Sequence, residues 1–277
     1  MSYKVIYSPE GKAGEYSPLA LNVYKKCSHR CKYCYCNGMF GNKTFFADVC
    51  EPKSGIVANV EKWIVKTCID KDDDFKKQIQ MSFVGDIFCN ATDNNGAAIK
   101  ILKFFAEIKQ KTVVLTKGTD KAIKYVSRLF SKFEKGDLML GTSLTFHTPA
   151  KSKEWESGAS LPESRFAFLS AAKAAGIRTF VSFEPIIDVG ETFKCIDRTL
   201  NDNSVDLYRF GKLNHSDSDT GPETKRVNDL LDYVIPILRN AGKDIYVKTD
   251  TRLDYYKDTA RQLHFTEAES TAERWFL

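Results

Sequence analysis

Several absences narrow the reading of this 277-residue chain before any motif is considered. There is no apolar run of about 18 residues, so no transmembrane helix is expected. The opening stretch, MSYKVIYSPEGKAG, lacks the apolar core of a signal peptide. A cytoplasmic, reducing location is therefore expected, with no membrane partner. No low-complexity tract, Pro/Gly-rich linker or short repeat interrupts the chain. No G-x-G-x-x-G follows the first strand-like run, which weakens a dinucleotide-binding reading. Only four histidines are present. A metal-dependent hydrolase would want several His and Asp ligands, and this supply falls short. The net charge of +5 permits an anionic partner without arguing for one.

What is present is ordinary for a globular protein: 43% hydrophobic and 28% charged residues. A chain of this length buries roughly three quarters of its unfolded surface, so it needs no disulfides to hold a core. The eight cysteines are informative for that reason. Cys27, Cys31, Cys34 and Cys36 are clustered, whereas Cys50, Cys68, Cys89 and Cys195 are scattered and are expected to pack as small apolar residues.

Short apolar or β-branched runs alternate with stretches of helical spacing. Strands are expected over Leu19–Tyr24, Ile79–Val84, Thr112–Thr116, Leu138–Leu144, Ile177–Phe183, Val205–Phe210 and Asp244–Val247. Helices are expected over Ile56–Ile69, Ala97–Lys109, Asp120–Phe133, Pro162–Ala175, Glu191–Leu200, Glu223–Asn240 and Thr251–Gln262. Pro162 suits a first helical turn, and Gly176 and Gly242 suit helix ends. Such a βα series implies a parallel sheet with right-handed crossovers. An α/β fold in the form of a partial or full (β/α) TIM-type barrel is expected. It forms a single domain over residues 1–277, with a core of about 17–215 and a barrel-closing segment, 216–277. Function in such folds gathers at the C-terminal ends of the strands.

The first parallel strand runs directly into KKCSHRCKYCYCNGMF. Closely spaced cysteines on one wrapped loop let thiolates converge on neighbouring irons of an iron–sulfur cube. Three ligands leave one iron open for chemistry. A structural zinc site built from Cys27, Cys31, Cys34 and Cys36, or with His29, is the alternative. It would make the chain a zinc-stabilised nucleic-acid-binding module, but zinc sites of this kind usually use two separated cysteine pairs.

The C-x3-C-x2-C spacing, with Tyr33 before its third cysteine, resembles the signature of the radical S-adenosylmethionine superfamily. The resemblance implies a [4Fe-4S] cluster on Cys27, Cys31 and Cys34, with S-adenosylmethionine on the open iron. Reductive cleavage of the sulfonium would give a 5′-deoxyadenosyl radical that abstracts hydrogen from a substrate. It also implies a reducing partner such as flavodoxin or ferredoxin. Cys36 lies outside the pattern and reads as a nearby thiol.

Later strand ends extend the likeness. Ser82, Gly85 and Asp86 stand where the family often carries a Gly-Gly-Glu stretch facing the cofactor's amino group. Lys117 matches a lysine that meets the cofactor carboxylate in the spore photoproduct lyase-like branch. Ser143 or Thr145, then Ser182 and Glu184, are expected along the rest of the cofactor, the last two at the ribose. Lys212, Asn214 and His215 follow as polar groups at the mouth. TKG, TSL, FEP and GKLN together resemble that branch over roughly residues 19–215. A true lyase has a hydrogen-donating cysteine where Val84-Gly85 stand here; Cys89 is a candidate substitute. Lyase chemistry, or modification of a nucleic acid or small molecule, stays open. Lys25, Lys26, Arg30 and Lys32, interleaved with Tyr33 and Tyr35, make DNA or RNA a possible substrate. His147 reads as surface or structural. Tyr246, Lys248, Asp250, Arg252 and Tyr255, near the last strand end, are expected to shape the substrate side.

Overall fold

The structure is a computed structural model that describes residues 5–39, 45–70, 73–213, 224–257, 263–266 and 269. Its strands form where the apolar runs lie: β1 Ile6–Tyr7, β2 Leu19–Leu21, β3 Ile79–Met81, β4 Thr112–Leu115, β5 Leu138–Ser143, β6 Arg178–Ile186, β7 Leu207–Lys212 and β8 Asp244–Val247. They make one eight-stranded sheet in sequence order. β2 to β8 are parallel throughout, and β1 adds an antiparallel edge through Ile6–Leu21 and Tyr7–Ala20. The result is a partial barrel. Among the described residues no strand joins β8 back to β1. The N-terminal segment covers that gap instead: Glu15 accepts from the Tyr246 hydroxyl at 2.7 Å and the Thr249 amide at 3.1 Å. Lys12 pairs with Asp250 at 2.8 Å.

Helices cover the outer face: α1 Tyr35–Met39, α2 Ile56–Ile69, α3 Gly96–Glu107, α4 Thr119–Ala122, α5 Pro149–Trp155, α6 Pro162–Ala174, α7 Val189–Asn201, α8 Thr224–Asn240 and α9 Thr249–Tyr256. α2 buries Ile56, Val60, Ile64 and Thr67, a stripe at helical spacing. α6 begins on Pro162 and gives way at Gly176, whose φ of +75° suits glycine. The Asp188 side chain caps α7 by accepting from the Glu191 amide at 3.1 Å. The helix expected over Asp120–Phe133 is broken into α4 and two 3-10 turns, Ile123–Tyr125 and Phe130–Lys132. Val126, Leu129, Phe130 and Phe133 are all buried there, and packing them together overrides a straight helical path.

Side chains alternate across each strand, and one phase points inward. Val113, Met139, Phe180, Leu207 and Tyr246 form an interior cluster with Tyr16. Gly141 makes room for it: a Cβ there would lie 2.4 Å from the Phe180 ring. Steps of two toward the strand ends turn this apolar interior into a polar one, through Leu115 and Lys117, Ser143, Ser182 and Glu184, Arg209 and Gly211, and Lys248. The fold thus places a cavity at the C-terminal mouth. Of the scattered cysteines, Cys50, Cys89 and Cys195 are buried, but Cys68 is exposed on the outer face of α2, contrary to expectation.

Candidate active site

A cavity of about 310 Å³ opens at this mouth, within the size range of small-molecule sites. Cys27, Cys31, Cys34 and Cys36 line one side, together with Tyr33, Ser82, Gly85, Asp86 and Lys117. Ser143, Ser182 and Glu184 continue the wall, and Arg209, Gly211, Lys212 and Lys248 stand on the far side. Asn214 and His215 lie outside the described residues.

The cysteine loop is fixed by two buried carboxylates. Asp86 takes an ion-pair contact from His29 Nε2 at 3.0 Å, a hydrogen bond from the Thr116 hydroxyl at 2.7 Å and one from the Lys117 amide at 2.7 Å. Burial opposes its ionisation, yet His29 and these donors hold the carboxyl at about 2. Asp86 therefore ties the loop to the ends of β3 and β4. Glu156 does the same from beyond α5. It pairs with Arg165 at 2.6 Å, both side chains being fully buried. It also accepts from the Tyr33 hydroxyl, which lies 3.2 Å from Thr145 Oγ1. Arg165 donates onward to the carbonyls of Ser160 and Ser143, at 2.8 and 3.0 Å. The backbone continues this splice. Cys31 bridges Glu156, Lys32 donates to the Trp155 carbonyl at 2.9 Å, and Gly158 donates to the His29 carbonyl at 3.0 Å. Only glycine fits at 158, because a Cβ would lie 2.0 Å from the Ser28 carbonyl oxygen.

Within the loop, burial pushes the Cys27 thiol up and the Cys31 thiol to about 12. Cys34 behaves oppositely: a hydrogen bond from the Cys36 thiol outweighs its burial and lowers it to about 6. Gly85, at φ +86°, directs its amide toward Cys36. The Lys117 ammonium sits 5.4 Å from the Tyr33 ring centroid. Burial disfavours that ammonium, but the neighbouring Cys31 and Glu156 hold its pKa above the ordinary value.

The structure thus brings Tyr33, Ser82, Gly85, Asp86, Lys117, Ser143, Ser182 and Glu184 together with the three cysteines. Ser143 and Ser182 are register partners on adjacent strands. The Ser182 hydroxyl and Glu184 Oε1 are buried without a hydrogen-bond partner. Asp86, by contrast, is engaged by its own chain at both oxygens.

Cys89 is a correction. It is fully buried, packs in the core with Cys50 and does not line the cavity, so it is not poised to donate hydrogen there. His147 does not line the cavity either; its ring packs 5.8 Å from Phe166. The basic residues around the loop also read differently. Lys25 pairs with Glu51 at 3.0 Å, Arg30 with Asp48 at 2.6 Å and Lys32 with Glu154 at 3.2 Å, all at the surface.

Tyr16, Gln80, Arg209 and Gly211 join the site without having been singled out from sequence. Arg209 is buried, its guanidinium carbon 4.8 Å from the Tyr16 ring and 4.6 Å from the Phe180 ring. Burial lowers it to about 10, partly offset by Glu184. Its signal was present in the alternation of Leu207, Arg209 and Gly211.

No family model and no curated protein matches the chain. Among solved structures, the fold is similar to a variant of spore photoproduct lyase, with a TM-score of 0.62, 14% identity, and coverage of 90% of this chain and 80% of that one. A second lyase variant, with bound S-adenosylmethionine and dinucleoside spore photoproduct, matches at TM-score 0.57 and 14% identity over 82% of this chain and 64% of that one. Streptococcus suis SuiB bound to S-adenosylmethionine matches at TM-score 0.61 and 13% identity over 90% of this chain. The chain spans only 53% of SuiB. At these identities the likeness is one of fold alone, the partial (β/α) barrel described above.

Proposed function

We propose that this protein is a radical S-adenosylmethionine enzyme whose [4Fe-4S] cluster is held by Cys27, Cys31 and Cys34. The observation that carries the reading is the convergence of this cysteine loop, Lys117, Ser143, Ser182 and Glu184 on one cavity at the mouth of the partial barrel. When bound, the cluster supplies the electron that cleaves the sulfonium to a 5′-deoxyadenosyl radical.

The donor set fits such a group. Three thiols on a tight loop suit separate irons of a cube. Among the described residues, no three His, Cys, Asp or Glu are arranged to hold one metal ion, an arrangement that a cube does not need. The buried, unpartnered Ser182 hydroxyl and Glu184 Oε1 call for a polar ligand, since leaving them unmet costs about 1–3 kcal/mol each. Ribose hydroxyls would satisfy both. Lys117, half-buried beside the cysteines, is placed to receive the cofactor carboxylate. Asp86 and Glu156 hold the loop in position, and Tyr33 shields the Lys117 side of the cavity.

The substrate does not follow from the fold. One neighbour is described with a dinucleoside spore photoproduct, the other with a precursor peptide. A nucleic-acid substrate is the weaker reading for this chain, because Lys25, Arg30 and Lys32 already face carboxylates. The test is anaerobic reconstitution with iron and sulfide. A brown protein that forms 5′-deoxyadenosine from S-adenosylmethionine only when reduced is expected. A colourless, zinc-only protein would overturn the reading.

A further inference from the structure

Strand pairing stops at the mouth of the barrel, and one side chain takes over from it. The β2–β3 ladder ends at Leu21 and Met81, which leaves the amides that follow on β3 without a ladder partner. A buried amide left unpaired costs about as much as a lost hydrogen bond. Asn22, buried directly after β2, answers two of them. Its Oδ1 accepts from the Phe83 amide at 3.0 Å and from the Val84 amide at 2.9 Å. A carboxamide oxygen has two lone pairs, so one atom can take both. The Asn22 Nδ2 donates to the Tyr7 hydroxyl on β1 at 2.7 Å, which fixes the orientation of the amide.

The segment held in this way faces the cavity and touches both ends of the cysteine loop. Ser82, Phe83 and Gly85 line the cavity, whereas Asn22 and Tyr7 do not. The Phe83 carbonyl accepts from the Tyr35 hydroxyl and lies 4.0 Å from the Cys36 thiol, just past Cys34. Gly85 meets the chain just before Cys27: a Cβ there would lie 3.2 Å from the Lys26 carbonyl oxygen. Asp86, next in sequence, already spends its carboxylate on His29, Thr116 and Lys117. The polar groups that this edge offers a ligand are therefore chiefly those of its backbone. Such groups bind well only when the chain behind them is held in place.

We infer that Asn22 is a positioning residue for the cofactor: through Phe83 and Val84 it sets where the backbone of residues 82–85 meets S-adenosylmethionine. It acts from behind the cavity wall, and Tyr7 holds its amide in turn. The inference rests on the functional reading above, in that S-adenosylmethionine occupies this cavity.

The test compares three variants after anaerobic reconstitution. Each is measured for iron content, for S-adenosylmethionine affinity by calorimetry, and for the electron-spin resonance of the reduced cluster with and without S-adenosylmethionine. Asn22→Leu keeps a similar volume but cannot accept. It should take up iron like the parent and bind S-adenosylmethionine about ten-fold more weakly, the worth of one hydrogen bond. Asn22→Asp keeps the acceptor and should restore most of the affinity. Tyr7→Phe removes only the orienting hydroxyl and should weaken binding about three-fold. At saturating S-adenosylmethionine the resonance should differ from the parent's in Asn22→Leu and match it in Asn22→Asp, a signature that lost stability alone would not move. Parent-like affinity and resonance in iron-loaded Asn22→Leu overturns the inference, as does loss of its iron or equal weakening in Asn22→Asp. If Asn22→Leu does not fold, Tyr7→Phe decides: weakened affinity supports the inference and unchanged affinity overturns it. A wild-type protein that holds no cluster and binds no S-adenosylmethionine overturns the functional reading instead.

Discussion

The two walls of the cavity are built on different principles. On the cysteine side the buried charges are answered from within the chain: Asp86 by His29, Thr116 and Lys117, and Glu156 by Arg165 and Tyr33. Beyond the loop, Ser182 and Glu184 on the continuing wall keep unmet polar atoms. The contrast separates a holder from a binding surface. A loop that must present three thiols in fixed geometry needs its own tie-points saturated, because a half-satisfied buried network costs more than an apolar one. A wall that receives ligands must keep donors and acceptors available.

The sharpest way to break this comparison is at the thiols. Cys27→Ala, Cys31→Ala and Cys34→Ala should each abolish iron binding, and Cys36→Ala should retain it; iron and sulfide content after anaerobic reconstitution reads this. If Cys36→Ala loses iron equally, the assignment of three ligands is wrong. Next comes the holder. Glu156→Gln strands the buried Arg165 and should cost about 3–5 kcal/mol in urea unfolding, whereas a Glu156→Met, Arg165→Met double variant should lose less. A Glu156→Gln variant as stable as the parent would mean the ion pair does not hold the loop.

On the wall beyond the loop the prediction reverses. Ser182→Ala should leave urea stability within about 0.5 kcal/mol, because the Ser182 hydroxyl makes no hydrogen bond within the chain, while weakening S-adenosylmethionine binding. A large stability loss with intact binding would erase the distinction between the walls. The smallest effect concerns acid. The Asp86 carboxyl is depressed from its ordinary 3.8 to about 2. Its tie is therefore fully present above the unfolded value and is lost as pH falls through the folded one. Exchange protection of the Lys117 amide should persist down to about pH 4 and decline toward pH 2.

Much of this was legible in the sequence because it is periodic or local. Helix α2 is bounded at Ile56 and Ile69, where the apolar spacing starts and stops. The seven parallel strands fall within or close to the apolar runs, and Ser82, Lys117, Ser143, Ser182 and Glu184 lie in the inward phase at their ends. What was not legible depends on contacts between distant segments. Nothing near Glu156 announces that Arg165 and the Tyr33 hydroxyl will meet it, and α5, which carries it there, is short. The basic cluster around the loop looked like a patch because its partners, Asp48, Glu51 and Glu154, come from other stretches of chain. The short β1 strand and the Glu15 contacts that cover the open seam are likewise set by tertiary packing. Cys89 misled for a related reason: closeness in sequence to the end of β3 does not determine which way a side chain faces.

The most direct test of the account is whether reductant-dependent cleavage of S-adenosylmethionine occurs at this cysteine loop. The reconstituted protein should form 5′-deoxyadenosine when reduced and none when oxidised, and Cys31→Ala should form none under either condition. Equal product from the Cys31→Ala variant, or none from a fully iron-loaded wild-type protein under reduction, would contradict it.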